Sequence, residues 1–343
     1  MSRPLPFDID LPIIQAPMAG SQDSELALAV CSAGGLGSIP AAMLGPEALR
    51  AELHRLSREA KGPWNVNFFC HTPPEPDEGR EAAWRQALAP YYREFAIDPG
   101  SIAAGPGRRP FDAEALALLA EYRPPVVSFH FGLPEAALLA GVKALGAVVM
   151  SSATTVAEAR WLEAHGADVI IAQGLEAGGH RGMFLSTDLT TQVGTLALLP
   201  QILAAVSVPV VAAGGIADAA GVRAVLALGA SAAQLGTAYL LCPEARTSAV
   251  HRAALQSAAI EHTALTNLFS GRPARGMVNR LMRELGPISP LAPAFPLATG
   301  AVAPLRTAAE QAGSGDFSPL WAGQNARGCQ VVGAAELTRQ LGG

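Results

Sequence analysis

Short apolar runs recur along the chain and alternate with alanine- and leucine-rich segments, and this alternation constrains the fold most strongly. Apolar runs without polar alternation are typical of strands buried on both faces of a parallel sheet, with helices in the connections. Eight such strands with intervening helices close most simply as a (β/α)8 TIM barrel of about 250 residues. The predicted strands are residues 12–18, 36–40, 64–69, 126–131, 147–152, 168–174, 208–214 and 232–240.

Helices are predicted between these strands, several of them with Ser, Thr or Asp as N-cap. They cover residues 24–33, 46–61, 155–165 and 218–228. Residues 189–217 contain no charge, and a membrane span needs about 20 apolar residues. Pro200 and Pro209 would interrupt such a span, so we expect a barrel helix near 193–206 and a strand from Pro209, with both prolines at element starts. We therefore expect no membrane segment.

Two segments do not fit a minimal barrel. Residues 71–112 begin with prolines and contain a helical patch at 79–94, which suggests an excursion near the barrel mouth. We expect a barrel domain at 1–243 and, at 244–343, a C-terminal lid or second small domain over the strand ends. An ordered tail that wraps the barrel is the alternative. Regular structure in this region should be resisted by Pro287, Pro290, Pro293, Pro296 and Pro304.

The most informative motif is QGLEAGGHRG at residues 173–182, where a buried strand opens into a glycine-rich turn that carries His180. Barrel enzymes build their active sites from loops of this kind. Gly178 and Gly179 should let the backbone swing the imidazole toward a ligand. At its ordinary pKa of about 6.5, the imidazole would accept a carbon-bound proton or stabilise an anion. The alternative is a loop histidine bonded to a carbonyl.

Two later segments, 209–218 and 232–239, also end apolar strands with glycine and polar residues. In barrels a phosphate is commonly bound by main-chain amides between the loops after strands seven and eight. Gly214, Gly215, Gly236 and Thr237 fall at these positions, and the Thr237 hydroxyl would add a donor. The alternative is that these glycines only make tight turns.

A flat cofactor attached to such a phosphate would meet side chains at other strand ends. The candidates are residues 15–18, Asn67 and Gln173, because amide groups both donate to and accept from a heterocycle edge. Each could instead be a satisfied buried amide. His130 also ends a strand and is either a core histidine or a substrate contact. We expect Glu176 to brace its loop through amide hydrogen bonds.

Several common constellations are missing. HExxH, CxxC and paired histidines do not occur, so we expect no metal, and without GxSxG or GxGxxG we expect neither a serine nucleophile elbow nor a Rossmann domain. The net charge of −5 includes no basic block, which argues against nucleic acid as a partner. Scattered cysteines and an N-terminus unlike a signal peptide lead us to expect a reducing cytoplasm.

Four segments together resemble the nitronate monooxygenases, formerly called 2-nitropropane dioxygenases. They are QAPMAG at 15–20, QGLEAGGHRG, PVVAAGGIAD at 209–218 and QLGT at 234–237. FSGRPARGMVNRL at 269–281 and LWAGQNA at 320–326 are similar to later segments of that family. EAGGH is the most specific piece, although a sister family shares it.

The resemblance implies a barrel that binds FMN non-covalently, with His180 as catalytic base. It further implies an alkyl nitronate as substrate, such as propionate 3-nitronate, which is oxidised by one-electron transfer to FMN and reaction with dioxygen. The products would be a carbonyl compound and nitrite or nitrate. The oligomeric state is left open. When the positions that match the family are combined with the strand-end candidates above, the expected FMN contacts are Pro17, Met18, Asn67, Gln173, Gly178, Gly179, Gly214, Gly215, Gln234, Leu235, Gly236 and Thr237.

Other functions stay open at this point. FMN-dependent enoyl-acyl carrier protein reductases have similar motifs after strands six to eight and would use NAD(P)H, but NVNFF at 65–69 and SFHFG at 128–132 are more like the monooxygenases. A flavin-free aldolase or isomerase of phosphorylated metabolites usually needs a lysine or carboxylate at a strand end, and neither Lys61 nor Lys143 ends a predicted strand. A non-catalytic flavin carrier is the third alternative.

Overall fold

The computed structural model describes residues 2–102 and 107–343. Eight parallel strands form one sheet in the order β1-β9-β8-β6-β5-β4-β3-β2, and a parallel bridge between Ile14 and Leu36 brings its two edges together. The predicted (β/α)8 barrel is therefore confirmed. Its strands are β1 (Ile13–Gln15), β2 (Gly37–Pro40), β3 (Trp64–Phe69), β4 (Val126–His130), β5 (Val148–Ala153), β6 (Val169–Gln173), β8 (Val210–Ala213) and β9 (Ala232–Leu235).

A second, three-stranded antiparallel sheet lies outside the barrel. It contains β7 (Gly179–His180), β10 (Thr263–Thr266) and β11 (Ala274–Met277), in the order β10-β11-β7. Since β7 belongs to the loop after β6, this small sheet ties a barrel loop to the C-terminal region.

All eight predicted strands are present, but β1 and β9 end three or more residues before the predicted position. Strand β1 ends at Gln15 rather than at residue 18, because Pro17 has no N–H with which to continue the ladder. Strand β9 ends at Leu235 rather than at residue 240. Gly236 leaves the extended region with φ −117° and ψ −66°, and Thr237–Tyr239 forms a turn of 3-10 helix. Both corrections place predicted site residues, Pro17 and Met18 after β1 and Gly236 and Thr237 after β9, in the loops of the barrel mouth.

The predicted barrel helices form, and side-chain caps fix several of their starts. Asp23, Thr155 and Asp218 each accept a hydrogen bond from a backbone N–H in the first turn. The helices up to residue 227 are α1 (Ser24–Ser32), α2 (Pro46–Glu59), α3 (Glu78–Glu94), α4 (Ala113–Tyr122), α5 (Ala136–Ala144), α6 (Val156–Ala164), α7 (Thr195–Ala205) and α8 (Ala219–Ala227).

Pro200 was expected to stand at an element start, and this is wrong: it lies inside α7. Its missing N–H leaves the carbonyl of Leu196 without a helical partner. Leu196 is 63 % exposed, so we expect water to satisfy that carbonyl. None of the helices in the described ranges has the length and apolarity needed to cross a membrane.

The excursion and the C-terminal region pack against each other as a cap over the barrel mouth. Helix α3 lies against α11 (Ala298–Gln311), and the hydroxyl of Tyr92 donates to the carbonyl of Ala301 at 2.6 Å. Trp84, Leu305 and Phe317 are buried in their shared core. Pro304 lies within α11, so the expectation that this proline resists regular structure is wrong for that position. The other helices of this region are α9 (Ala249–Leu255), α10 (Arg280–Leu285) and α12 (Ala334–Gly342).

Helix α12 returns to the barrel. It packs against α1 and α8, and Thr338 pairs its hydroxyl with that of Tyr239 at 2.9 Å. This helix covers the barrel wall beside β1, the position that a helix after β9 would otherwise occupy. The division of the chain at residue 243 stays a prediction, but the last nine helical residues pack as part of the barrel wall.

Candidate active site

One cavity of about 210 Å³ lies at the carboxyl ends of the barrel strands. Loops after β1, β3, β6, β8 and β9 form its floor, and Arg108, Trp321, Gly323 and Asn325 reach it from the cap. Except for Gln15, the structure brings the predicted site residues to this cavity. They are His180, His130, Pro17, Met18, Asn67, Gln173, Gly178, Gly179, Gly214, Gly215, Gln234, Leu235, Gly236 and Thr237.

His180 is held by pairing with the cap rather than carried on a freely swinging loop. In the antiparallel pair of β7 and β11 it stands opposite Ala274, and its neighbour Arg181 donates its N–H to the carbonyl of Pro273 at 2.8 Å. Gly179 has φ +72°, a conformation that L side chains rarely adopt. The side chain meets the cap as well, since Nε2 of His180 lies 2.9 Å from Oγ of Ser270.

The carbonyl of His180 accepts two hydrogen bonds from barrel side chains, one from Nε2 of Gln173 at 3.0 Å and one from Nε2 of His130 at 3.1 Å. Oε1 of Gln173 accepts from the N–H of Gly182 at 2.7 Å. A carbonyl only accepts, so His130 is protonated on Nε2, and its Nδ1 accepts from the Ser152 hydroxyl at 3.1 Å. Both side chains therefore fix the backbone that carries His180.

His130 and Gln173 therefore have fewer groups left to contact a ligand than their side-chain types would allow. His130 has both ring nitrogens engaged by protein, so what it can present to the cavity is its ring surface. Gln173 retains one amide hydrogen for a ligand. The substrate contact of His130 and the cofactor contact of Gln173 stay predictions.

Three histidines near the cavity are held neutral. Burial, the nearby imidazole of His130 and the positive charge of Arg272 lower the pKa of His180 well below its usual value. Burial chiefly lowers the pKa of His130 to about 3 and that of His71 to about 4. The expectation of an ordinary pKa near 6.5 for His180 is therefore wrong. At neutral pH this imidazole can accept a proton, but it offers an anion no full positive charge.

Aromatic rings from both the barrel and the cap surround His180. Its ring centroid lies 5.3 Å from that of Phe295 and 5.6 Å from that of Trp321, with Phe69 and Phe131 about as near. This wall leaves little polar surface beside the imidazole and accounts for much of its desolvation.

The loops after β8 and β9 form the other end of the cavity. Gly215 has φ +71°, and an added Cβ there would lie 3.2 Å from Cβ of Glu176. Oγ1 of Thr237 accepts from the N–H of Gly323 at 3.0 Å, which leaves its hydrogen for a ligand. Nδ2 of Asn325 donates to the carbonyl of Gly215 at 2.9 Å. The LWAGQNA segment thus closes over the predicted phosphate loops.

Two further polar groups bear on which ligand fits. Oε1 of Gln234 is buried without a hydrogen-bond partner in the described residues, although the side chain lines the cavity. Asn67 donates from Nδ2 to the Ser128 hydroxyl at 3.0 Å, which leaves its Oδ1 as an acceptor. A hydrogen-bond donor on a bound ligand would satisfy the unpaired Oε1 of Gln234.

Two expectations about neighbouring polar residues have clear outcomes. Glu176 braces its loop as predicted, because its carboxylate accepts from the N–H of Thr195 at 2.8 Å and from the Thr195 hydroxyl at 2.9 Å. Gln15 is not a ligand contact. It is fully buried, its Oε1 accepts from the N–H of Ser38 at 2.9 Å, and its Nε2 donates to Gln22 at 2.8 Å.

Four residues of the site were missed at the sequence level. Arg181 is fully buried and donates to the carbonyls of Gly174 and Gln173 at 2.7 and 2.8 Å, which holds the motif in shape. The others are Ser270, Arg272 and Arg108. Ser270 and Arg272 lie in FSGRPARG, a segment already noted, but nothing local indicates that it reaches His180. Within the described ranges, no group of three His, Cys, Asp or Glu side chains could hold a metal ion.

Comparison with known proteins agrees with this geometry over nearly the whole chain. The family model described as nitronate monooxygenase matches residues 6–342. The chain belongs to the nitronate monooxygenase family. It is therefore an enzyme, an oxidoreductase, and members of this family are flavin enzymes.

Individual relatives are similar in both sequence and fold. A nitronate monooxygenase from Pseudomonas aeruginosa is 45 % identical over 336 residues, covering 97 % of this chain and 95 % of the relative. The crystal structure of a nitroalkane oxidase from Streptomyces ansochromogenes is 41 % identical with a TM-score of 0.88, covering 97 % and 95 % of the two chains. FabK from Thermotoga maritima is more distant, with 25 % identity and a TM-score of 0.69 over 97 % and 92 %.

Proposed function

We propose that this member of the nitronate monooxygenase family binds FMN and oxidises alkyl nitronates with dioxygen. The observation that carries the proposal is the placement of a neutral, buried imidazole in the same cavity as the paired glycine turns after β8 and β9. Propionate 3-nitronate is one such alkyl nitronate, and the products would be a carbonyl compound and nitrite or nitrate.

The residues of the cavity fit FMN. The N–H groups at Gly214, Gly215 and Gly236 and the Thr237 hydroxyl would hold the phosphate, because glycines allow close approach of the backbone to an anion. Oε1 of Gln234 and Oδ1 of Asn67 would accept hydrogen bonds from the edge of the flavin ring. Such a bond would supply the partner that the buried Gln234 oxygen lacks. When bound, FMN supplies the redox centre that takes electrons from the substrate one at a time.

His180 would remove the carbon-bound proton from a neutral nitroalkane. Oγ of Ser270 donates to the carbonyl of Arg272 at 3.4 Å, so Ser270 accepts from His180 and the Nε2 atom carries the hydrogen. Nδ1 of His180, which has no hydrogen-bond partner among the described residues, is then the basic nitrogen. The lowered pKa keeps this nitrogen unprotonated at neutral pH.

The cysteines agree with the expected reducing cytoplasm. Cys31, Cys70, Cys242 and Cys329 are all free thiols, as a reducing compartment would maintain.

The lysines do not support the aldolase alternative. Lys143 pairs with Asp168 at 2.8 Å away from the cavity, and among the described cavity-lining residues there is no lysine. The lysine-dependent aldolase alternative therefore has no support from the site.

The FMN-dependent enoyl-acyl carrier protein reductase is the second candidate, since it shares the EAGGH motif. An anaerobic experiment separates the two. The purified protein should show flavin absorption bands that propionate 3-nitronate bleaches and that NADH and NADPH leave unchanged over the same time. Rapid bleaching by a nicotinamide would favour the reductase. A protein that shows no flavin bands after FMN supplementation would contradict both candidates.

A further inference from the structure

Arg108 is the charged side chain of the cavity. Among the described residues that line it, Arg108 alone carries a formal charge when the histidines are neutral, and no Asp or Glu is present. Residues 103–106 are Ala-Ala-Gly-Pro and contain no ionisable side chain. The described lining of the cavity therefore carries one permanent charge, and it is positive.

The backbone places Arg108 beside β3. Three residues further on, the N–H of Phe111 donates to the carbonyl of Phe69 at 2.8 Å, at the end of that strand. The ring of Phe69 in turn lies 6.1 Å from that of His180, centroid to centroid. Arg108 is close enough to His180 for its charge to contribute to the lowered pKa of the imidazole.

The opposite side of the barrel holds the glycine turns. Strands β3 and β8 are separated by four steps in either direction around the eight-stranded sheet, so they face each other across the barrel. The turn at Gly214 and Gly215 follows β8. Arg108, beside β3, therefore lies across the barrel from the Gly214 and Gly215 turn, and its charge acts on His180.

His180, held neutral, supplies no positive charge at its end of the cavity, and the second nearby cation, Arg272, packs over the ring of Phe131 and does not line the cavity. Burial and repulsion from Arg306 lower the pKa of the Arg108 guanidinium, and no carboxylate offsets either effect. An isolated, half-buried cation is stabilised when an anion binds beside it. A nitronate is an anion, whereas the nitroalkane of the same carbon skeleton is neutral.

We propose that Arg108 determines specificity for the charge of the substrate, pairing with an anionic nitronate at the His180 end and favouring it over the neutral nitroalkane. The inference rests on the proposed function and divides the roles between two residues. Arg108 attracts and holds the anion, while His180 acts only where a carbon-bound proton has to be removed.

The test compares ethyl nitronate with nitroethane, which differ by one proton. Because a charge-assisted hydrogen bond is lost, Arg108→Met should lower kcat/KM for ethyl nitronate by about 10- to 100-fold. It should lower kcat/KM for nitroethane by a clearly smaller factor, because the negative charge on the nitro group is only partly formed while His180 removes the proton. Arg108→Lys should restore most of the loss in nitronate turnover. The matched control is Arg109→Met in the same loop, because Arg109 is 61 % exposed and pairs with Asp112 and Glu114 at the surface. This control should behave as wild type.

Two readouts exclude a merely structural role. The kcat/KM of wild type for ethyl nitronate should fall with ionic strength, and that of Arg108→Met should not. Without turnover, sodium nitrite should raise the Tm of wild type and Arg109→Met above the value in equal sodium chloride, and Arg108→Met should lose this difference. Equal losses for both substrates, or an unchanged nitrite effect in Arg108→Met, would overturn the inference. A wild type that turns over neither substrate would contradict the proposed function, and the nitrite comparison would still decide the role of Arg108.

Discussion

Nε2 of His180 lies 2.9 Å from Oγ of Ser270, ninety residues further along the chain. The histidine belongs to a barrel loop and the serine to the cap, so the proposed base is completed by a side chain from outside the minimal barrel. The pairing of β7 with β11 makes the same connection through the backbone. Barrel and cap are therefore one functional unit, wherever a domain boundary is drawn between them.

Replacing Ser270 by alanine should leave the imidazole of His180 in the site but no longer hold it in one orientation. Since one hydrogen bond contributes about 0.5–1.5 kcal/mol, turnover of neutral nitroethane should fall by about 2- to 10-fold. FMN content should be unchanged, because Ser270 does not line the cavity. Ser270→Thr, which keeps the hydroxyl, is the control and should retain most of the rate. A wild-type rate and pH profile in Ser270→Ala would show that the contact does not position the imidazole.

Acid should destabilise the protein through its buried histidines. Their folded-state pKa values are lowered, to about 4 for His71 and about 3 for His130, while the unfolded values lie near 6.5. The unfolded state binds more protons in this window, so the free energy of unfolding should decrease as pH falls from about 6.5 toward 4. Urea denaturation at several pH values measures this. His71→Phe, which fits the surrounding aromatic rings, should make the decrease shallower, and an unchanged slope would count against a buried neutral His71.

A side chain at Gly215 should weaken FMN binding beyond its general cost to stability. Gly215→Ala introduces a Cβ at φ +71° and 3.2 Å from Glu176, next to the proposed phosphate amides. Gly146→Ala is the matched control, because it has φ +86° and an added Cβ would meet no atom within 4 Å. Both variants should lose about 1 kcal/mol of unfolding free energy. FMN fluorescence titration should give a raised Kd for Gly215→Ala alone, and equal Kd values would argue against a phosphate site at this turn.

Much of the barrel follows from local sequence patterns. Strand β3 occupies the residues that its apolar run predicts, and the predicted site residues meet at one cavity because the carboxyl ends of parallel strands share one edge. Glycine motifs at those ends reflect backbone conformation, which is also a local property.

What escaped prediction depends on contacts between distant segments. No local signal pairs Ser270 with His180, brings Arg108 to the cavity or returns α12 to the barrel wall. The lowered pKa of His180 comes from burial under the cap, which the sequence motif does not contain. For Gln15 the sequence left a ligand contact and a buried amide both open, because an amide at a strand end looks the same whether its partner is a ligand or the backbone of Ser38.

The most direct test of the central claim is the turnover of neutral nitroethane by His180→Ala, measured per bound FMN. Loss of a positioned general base should slow this reaction by about two to four orders of magnitude while FMN stays bound. The preformed anion ethyl nitronate should be much less affected, because its proton is already gone. Turnover of nitroethane at the wild-type rate in a variant that retains its FMN would contradict the role assigned to His180.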